Sequence, residues 1–413
     1  MKRSLIFHLV AFLVLSAALF VSGLFVAQFV DFDKAPAETT TVETFIDENG
    51  EEVPVVTEPE KPEKPDSISV AVYPYVANME LFKKVLEEQW YAMEPEVKLE
   101  FVTWDCYEDP YPNNIDVITY DALFTAHLAN TGFIQPLDTD TIDNTYGILP
   151  FAMDGAHYNG DLYGLPFLVC SSFLIHRTDD EELNKVENFE DLYKVMKARK
   201  SKDPTTALQI DSWGEGPYFY LDALIDYTGE YTTYEEGTDM NSPDSKVIKR
   251  LKEIQAMTVP IPEGENFRVR FAEGEGTACY AYSESLYLME DLIDELTIRP
   301  ISFFKTENIQ MYYADIASLC SQVTDPVEKE YCMKLINLMA SEEFLTELCY
   351  GNGDVQYMFP AREQVYDKAA ELYPMYAVLR DLALDENNRI FRFGPHIFEY
   401  KKLATYVLPY DTP

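Results

Sequence analysis

Apolar positions along the chain recur with a period of two in some segments and of three to four in others. "SISVAVYPYV" puts Ile68, Val70 and Val72 on one face and stops at Pro74, which predicts a strand. Asn78 can then cap a helix on which Phe82, Val85, Leu86 and Gln89 mark one face. "VKLEFVTW" alternates again through Val97, Leu99 and Phe101. "IDVITYD" is a short apolar run ending at Asp121, and "ALFTAHLANTGFIQPL" reads as helix and loop. This β-α-β-α-β order implies a parallel sheet with helices on both faces.

The theme returns further on. "GEGPYFYLDALIDYT" and "DSKVIKRLKEIQAM" have helical spacing, "TACYAY" reads as a strand, and "SESLYLMEDLIDEL" as the helix after it. Asp325 and Pro326 form a strong start, cap then first residue, for "VEKEYCMKLINLMA". The pattern predicts two α/β lobes, with the chain crossing near residues 170 and 290. Residues 67–172 and 290–345 then make one lobe, and 173–289 and 346–413 the other. Ligands of open α/β sheets sit beyond the carboxyl ends of strands. That rule singles out Tyr73, Tyr75, Asp121, Tyr282 and the residues just after Tyr282.

Two N-terminal segments break the pattern. Lys2 and Arg3 precede an uncharged, mostly apolar stretch through Val30, which reads as an export signal or a signal anchor. Its apolar length is enough to span a bilayer, and no good A-x-A cleavage site follows. Residues 31–66 are rich in Glu, Thr and Pro and poor in large apolar groups, so they are expected to form a disordered, extended stalk. The rest of the chain is therefore expected outside the cytoplasm, secreted or held at the membrane by residues 4–30.

Composition sharpens the functional classes. The net charge of −40 argues against nucleic acid, whose phosphates would be repelled. The same charge suits a cationic ligand in an acidic cleft, or serves only to keep an exported protein soluble. The five histidines show no zinc-ligand spacing, and no glycine-rich phosphate loop is present, so neither a metal nor a nucleotide cofactor is expected. The six cysteines are few for 413 residues, and the fold is not expected to depend on disulfides.

Within "GLPFLVCSSFLIHR", Cys170 ends an apolar run and precedes two serines. It reads as a small buried hydrophobe, half of a disulfide, or a nucleophile. His176 is not its base, because six residues of strand span about 20 Å. Glu284, where a strand turns into a helix in "YAYSES", serves either the helix N-terminus or general-base chemistry. Asp121 and Asp315 are turn and cap residues or ligand acceptors. A few of the 29 tyrosines, at strand ends, could stack on a flat ring.

"YPYV", "FVTWDCYEDP", "IDVITYDALFTAHLANTGFIQPL", "ILPFAMDGAHYNGDLYGLPFLVCSS", "YLDALIDYTGEYTTY", "YSES", "YYADIASL", "MFPAREQVY" and "RIFRFGP" follow one another in this order. In this the chain resembles bacterial thiaminase I, thiamine pyridinylase, from about Ser67 almost to the C-terminus. The resemblance implies a two-lobed periplasmic-binding-protein-like (type II) α/β fold with a ligand cleft between the lobes. It also implies a transferase that exchanges the thiazolium of thiamine for a small nucleophile (an amine, pyridine or thiol) at the methylene bridge. Residue by residue it places the nucleophile on Cys170 and the base on Glu284. Asp121 and Asp315 become the pyrimidine-binding aspartates, and Tyr73, Tyr75, Tyr282 and Tyr313 the tyrosines of the cleft. A further family tyrosine falls near Phe267, where its hydroxyl would be missing. A monomer is expected. The alternative from another class is a solute-binding receptor for thiamine or a pyrimidine, with the same lobes and no chemistry; a sugar receptor is less favoured, since three tryptophans offer few stacking platforms.

Overall fold

The computed structural model describes residues 44–46, 52–54, 63–210, 215–229, 242–258, 267–304 and 309–398. The expected export segment lies outside the described residues, as does most of the stalk. Inside the stalk, Thr44–Ile46 pairs antiparallel with Glu52–Pro54, so that part is a short ribbon and not a uniformly extended chain. No helix among the described residues is long and apolar enough to cross a membrane. The chain divides into Met1–Pro62 and Glu63–Pro413, and the second unit carries everything that follows.

The larger sheet begins with β1 (Ser67–Val72), whose Ile68, Val70, Ala71 and Val72 are buried. Helix α1 (Met79–Met93) starts where Asn78 Oδ1 accepts the Leu81 N–H at 3.1 Å, and it buries Leu81, Phe82, Val85, Leu86 and Trp90. Each such side chain contributes roughly 1.5–3 kcal/mol by leaving water. β2 (Lys98–Thr103) and the fully buried β3 (Val117–Asp121) run parallel to β1 on either side of it. β4 (Gly164–Cys170) ends the first passage through this sheet.

One residue later the chain enters the smaller sheet through β5 (Ser172–Arg177). Helix α2 (Phe189–Lys202), β6 (Gln209–Ile210), α3 (Glu215–Thr228), α4 (Ser245–Met257) and β7 (Ala278–Tyr282) follow. The helix expected over Ser283–Glu295 is formed of 3₁₀ turns broken at Met289, and β8 (Leu296–Arg299) completes this part. The strand order is β6–β7–β5–β8.

The chain then returns to the larger sheet with β9 (Met311–Leu319). Helix α5 (Pro326–Met339) follows, its first two N–H donors held by Asp325, and the short β10 (Phe359–Pro360) and β11 (Arg389–Ile390) come last. The order is β10–β4–β9–β3–β1–β2, with β11 beside β9. β9 runs antiparallel to both β3 and β4, so the sheet is mixed and not the all-parallel sheet expected. Cross-strand pairing also moves the expected lobe boundaries. β8 belongs with the smaller sheet because it pairs β5, and residues 359–390 belong with the larger because β10 pairs β4 and β11 pairs β9.

Candidate functional site

Strand register assembles the site. Asp315 of β9 lies directly opposite Asp121 at the end of β3, and Tyr313, two residues earlier on the same strand, lies opposite Cys170 at the end of β4. Period-two alternation keeps Tyr313 and Asp315 on one face, so one strand delivers both to the cleft. Asp121 turns the chain into the next helix: its Oδ1 accepts the Leu123 N–H at 3.0 Å, and its Oδ2 accepts the Tyr107 hydroxyl at 2.8 Å.

The two serines after Cys170 span the crossing. Ser171 is fully buried, its Oγ donating to the Met311 carbonyl at 2.6 Å and accepting from Gln310 Nε2. Gln310 Nε2 also donates to the Ser172 carbonyl at 3.0 Å, so the two strands that cross between the sheets are tied together. The Ser171 carbonyl accepts the Ser283 N–H at 3.0 Å. That bond sets Glu284, the next residue, beside Cys170, and the carboxylate hydrogen-bonds the thiol. Ser283 Oγ holds Glu284 Oε2 at 3.2 Å.

Tyr75, Val76, Cys170, Ser283, Glu284 and Asp315 line one pocket with Leu168, Val169, Met358 and Phe359. The other expected residues flank that pocket. Tyr73 packs edge-on against Tyr75 with ring centres 5.1 Å apart and lies 6.3 Å from the Tyr107 ring. Tyr282 meets Tyr313 edge-on at 5.7 Å, and Phe391 stacks on Tyr313 at 4.7 Å. The walls also touch at Asn78, whose Nδ2 donates to the Tyr287 hydroxyl at 3.4 Å. The side chain of Phe267 lies outside the described residues.

Among the described residues that line the pocket, the charged side chains are Glu284 and Asp315, and none is basic. Burial, opposed by the Leu123 and Tyr107 hydrogen bonds, pushes the Asp121 carboxyl up to about 7. Burial, then Asp121 and Glu284, holds the Asp315 carboxyl well above the usual range. The Cys170 thiol is raised well above its ordinary value by burial first, then by the charge and hydrogen bond of Glu284, then by the two aspartates. Tyr73 is raised by burial and Asp121, and Tyr75 by burial and its hydrogen bond to Asp105. Carboxylates crowded this way repel one another, and a cationic ligand relieves the strain. Among the described residues, no group of three or more His, Cys, Asp and Glu side chains is placed to hold a metal ion.

All six cysteines are free, which leaves Cys170 a thiol. It is also half-buried, unlike the other five, which are fully buried. His176 is buried in β5, its Nδ1 bonded to the Arg177 carbonyl. Sequence reasoning passed over Tyr107, which lies in the turn-rich "DCYEDPYP"; the only signal there was an aromatic just past a strand end.

Residues 109–377 match the family of bacterial extracellular solute-binding proteins. Thiaminase-1 of Paenibacillus thiaminolyticus is 35% identical over 360 residues, covering 83% of this chain and 87% of the relative. The solved structure of thiaminase I from Bacillus thiaminolyticus superposes with a TM-score of 0.75 at 34% identity, covering 83% of this chain and 99% of that one. Clostridium botulinum thiaminase I, solved in complex with thiamin, superposes with a TM-score of 0.76 at 31% identity, covering 82% and 99%.

Proposed function

The chain belongs to the thiaminase I family, built on the fold of the bacterial extracellular solute-binding proteins, and from that premise we propose that it degrades thiamine by group transfer. The observation that carries the reading is the pairing of the Cys170 thiol with the Glu284 carboxylate beside the facing aspartates Asp121 and Asp315. A receptor that only binds gains nothing from a half-buried thiol held against a carboxylate.

In this reading Asp121 and Asp315 accept hydrogen bonds from the 4-amino group and protonated ring nitrogen of the pyrimidine, and tyrosine rings flank its faces. The cationic thiazolium offsets the negative charge that Glu284, Asp121 and Asp315 bring together. Glu284 takes the thiol proton, and the Cys170 sulfur adds to the pyrimidine ring, forming a carbon–sulfur bond. The bond from the bridging methylene to the thiazolium nitrogen then breaks, its electron pair leaving with a neutral thiazole. An amine, pyridine or thiol adds at the methylene, and the electron pair returned to the ring expels the cysteine thiolate, which takes its proton back from Glu284. The freed carboxylate then accepts any proton the added nucleophile must lose and passes it to solvent.

No cofactor enters this sequence. The reading extends to an exported monomer whose apolar N-terminal segment is either removed or retained as an anchor. Purified protein is incubated with thiamine and an aniline or pyridine. Release of free thiazole is expected, whereas binding without release would identify a receptor.

A further inference from the structure

One carboxylate outside the pocket lining joins two tyrosines that come from different connections. Tyr75 lies between β1 and α1, and Tyr107 follows β2; because β1 and β2 are parallel neighbours, both connections emerge at the same end of the sheet. Asp105 Oδ2 accepts the Tyr75 hydroxyl at 2.7 Å, and Asp105 Oδ1 accepts the Tyr107 N–H at 2.8 Å. Asp105 is itself fixed within its turn: its N–H donates to Asp109 Oδ2 at 2.9 Å, and its carbonyl accepts the Asp109 N–H at 2.9 Å. Tyr107 then donates its hydroxyl to Asp121.

We infer that Asp105 is a positioning residue for the pyrimidine wall of the cleft, fixing the Tyr75 ring at the pocket and aiming the Tyr107 hydroxyl at Asp121. Both oxygens of one planar group are used, so the two tyrosines cannot shift independently. Losing Asp105 removes one hydrogen bond from the Tyr75 hydroxyl and one from the turn that carries Tyr107, and the cost falls on substrate binding more than on the covalent step. The inference rests on the reading that Tyr75 and Asp121 hold the pyrimidine.

The test is steady-state thiamine cleavage by the full-length protein, with thermal unfolding measured alongside. Asp105→Ala is expected to lower kcat/KM about tenfold, mainly through KM. Asp105→Asn keeps an oxygen for the Tyr107 N–H and places an amide donor toward the Tyr75 oxygen, so it should recover to within about threefold of the parent. In a background carrying Tyr75→Phe and Tyr107→Phe, Asp105→Ala should cost less than about twofold more, because the hydroxyls it aims are gone. A tenfold loss that persists in that background, or no loss in the parent, overturns the inference. If Asp105→Ala fails to fold, Asp105→Ser, whose side chain is too short to reach both tyrosines, takes its place in the same cycle with the same expected and contrary results. Unchanged thiamine affinity in both Asp121→Asn and Tyr75→Phe would instead remove the site assignment, and this inference with it.

Discussion

The larger sheet brings Asp121, Tyr313 and Asp315 to the cleft from two adjacent strands and sets Cys170 at the end of a third, while the smaller sheet contributes Tyr282, Ser283 and Glu284 from a single strand end. On the first wall, positions are fixed by cross-strand register deep in a sheet, independently of what faces it. On the second, Glu284 is placed by one backbone bond from Ser283 to Ser171 and by the start of a 3₁₀ turn. In the proposed mechanism this divides the work. Recognition and the nucleophile belong to the larger wall, and the base arrives with the smaller one, so binding and turnover should respond to different substitutions.

The strongest separation is expected at Cys170. Cys170→Ser should abolish thiamine cleavage while leaving thiamine binding measurable by calorimetry, because the base beside it is the carboxylate Glu284, too weak to activate a serine hydroxyl. Substantial thiazole release by this variant would erase the distinction between the walls. Glu284→Gln comes next: it keeps the shape and removes the proton acceptor. Turnover should fall by roughly 10²-fold, with much less change in affinity. A variant that loses affinity as steeply as turnover would place Glu284 in recognition.

The aspartates should show the opposite profile. Asp121→Asn and Asp315→Asn each remove a charge-assisted acceptor worth on the order of 1.5–3 kcal/mol, so thiamine affinity should drop by roughly tenfold in either. Calorimetry showing no drop in both would move them out of the site.

The smallest effect is on stability. Folded Asp121 holds its proton up to about 7 against an ordinary value of 3.8, so between those pH values the folded chain carries a proton that the unfolded chain has released. Stability of the unliganded protein should therefore fall as pH rises through that window, and Asp315, whose carboxyl is also raised by burial, contributes to the fall in the same direction. Asp121→Asn should flatten the slope and raise Tm near neutral pH by a few degrees, even as it weakens binding. A melting profile unaffected by the substitution would contradict the burial of an unpaired charge.

Much of this architecture could be read from the chain. The alternation of Ile68, Val70 and Val72, the Asn78 cap and the Asp325–Pro326 start are local signals, and the folded chain uses each of them. Helices α3 and α4 and strand β7 likewise lie where their spacing put them. What escaped was non-local. β10 and β11 are two residues long and carry no period, so only their partners reveal that the C-terminal segment returns to the larger sheet. The direction of β9 depends on strands far away in sequence. At the site, strand ends pointed to Tyr73, Tyr75, Asp121 and Tyr282, whereas Cys170 with Glu284 was grouped by family likeness. Tyr107 and Asp105 sit in a turn-rich stretch where nothing local marks a side chain as aimed at the cleft.

The most direct measurement is the intact mass of the protein after mixing with thiamine in the absence of an added nucleophile. The account predicts a single adduct of the pyrimidine fragment, located on Cys170 by peptide mapping, formed with one equivalent of free thiazole and absent from Cys170→Ser. Adding aniline should discharge it. Thiamine cleaved at full rate with no adduct at any time, and with Cys170→Ser still active, would contradict a covalent transfer through this cysteine.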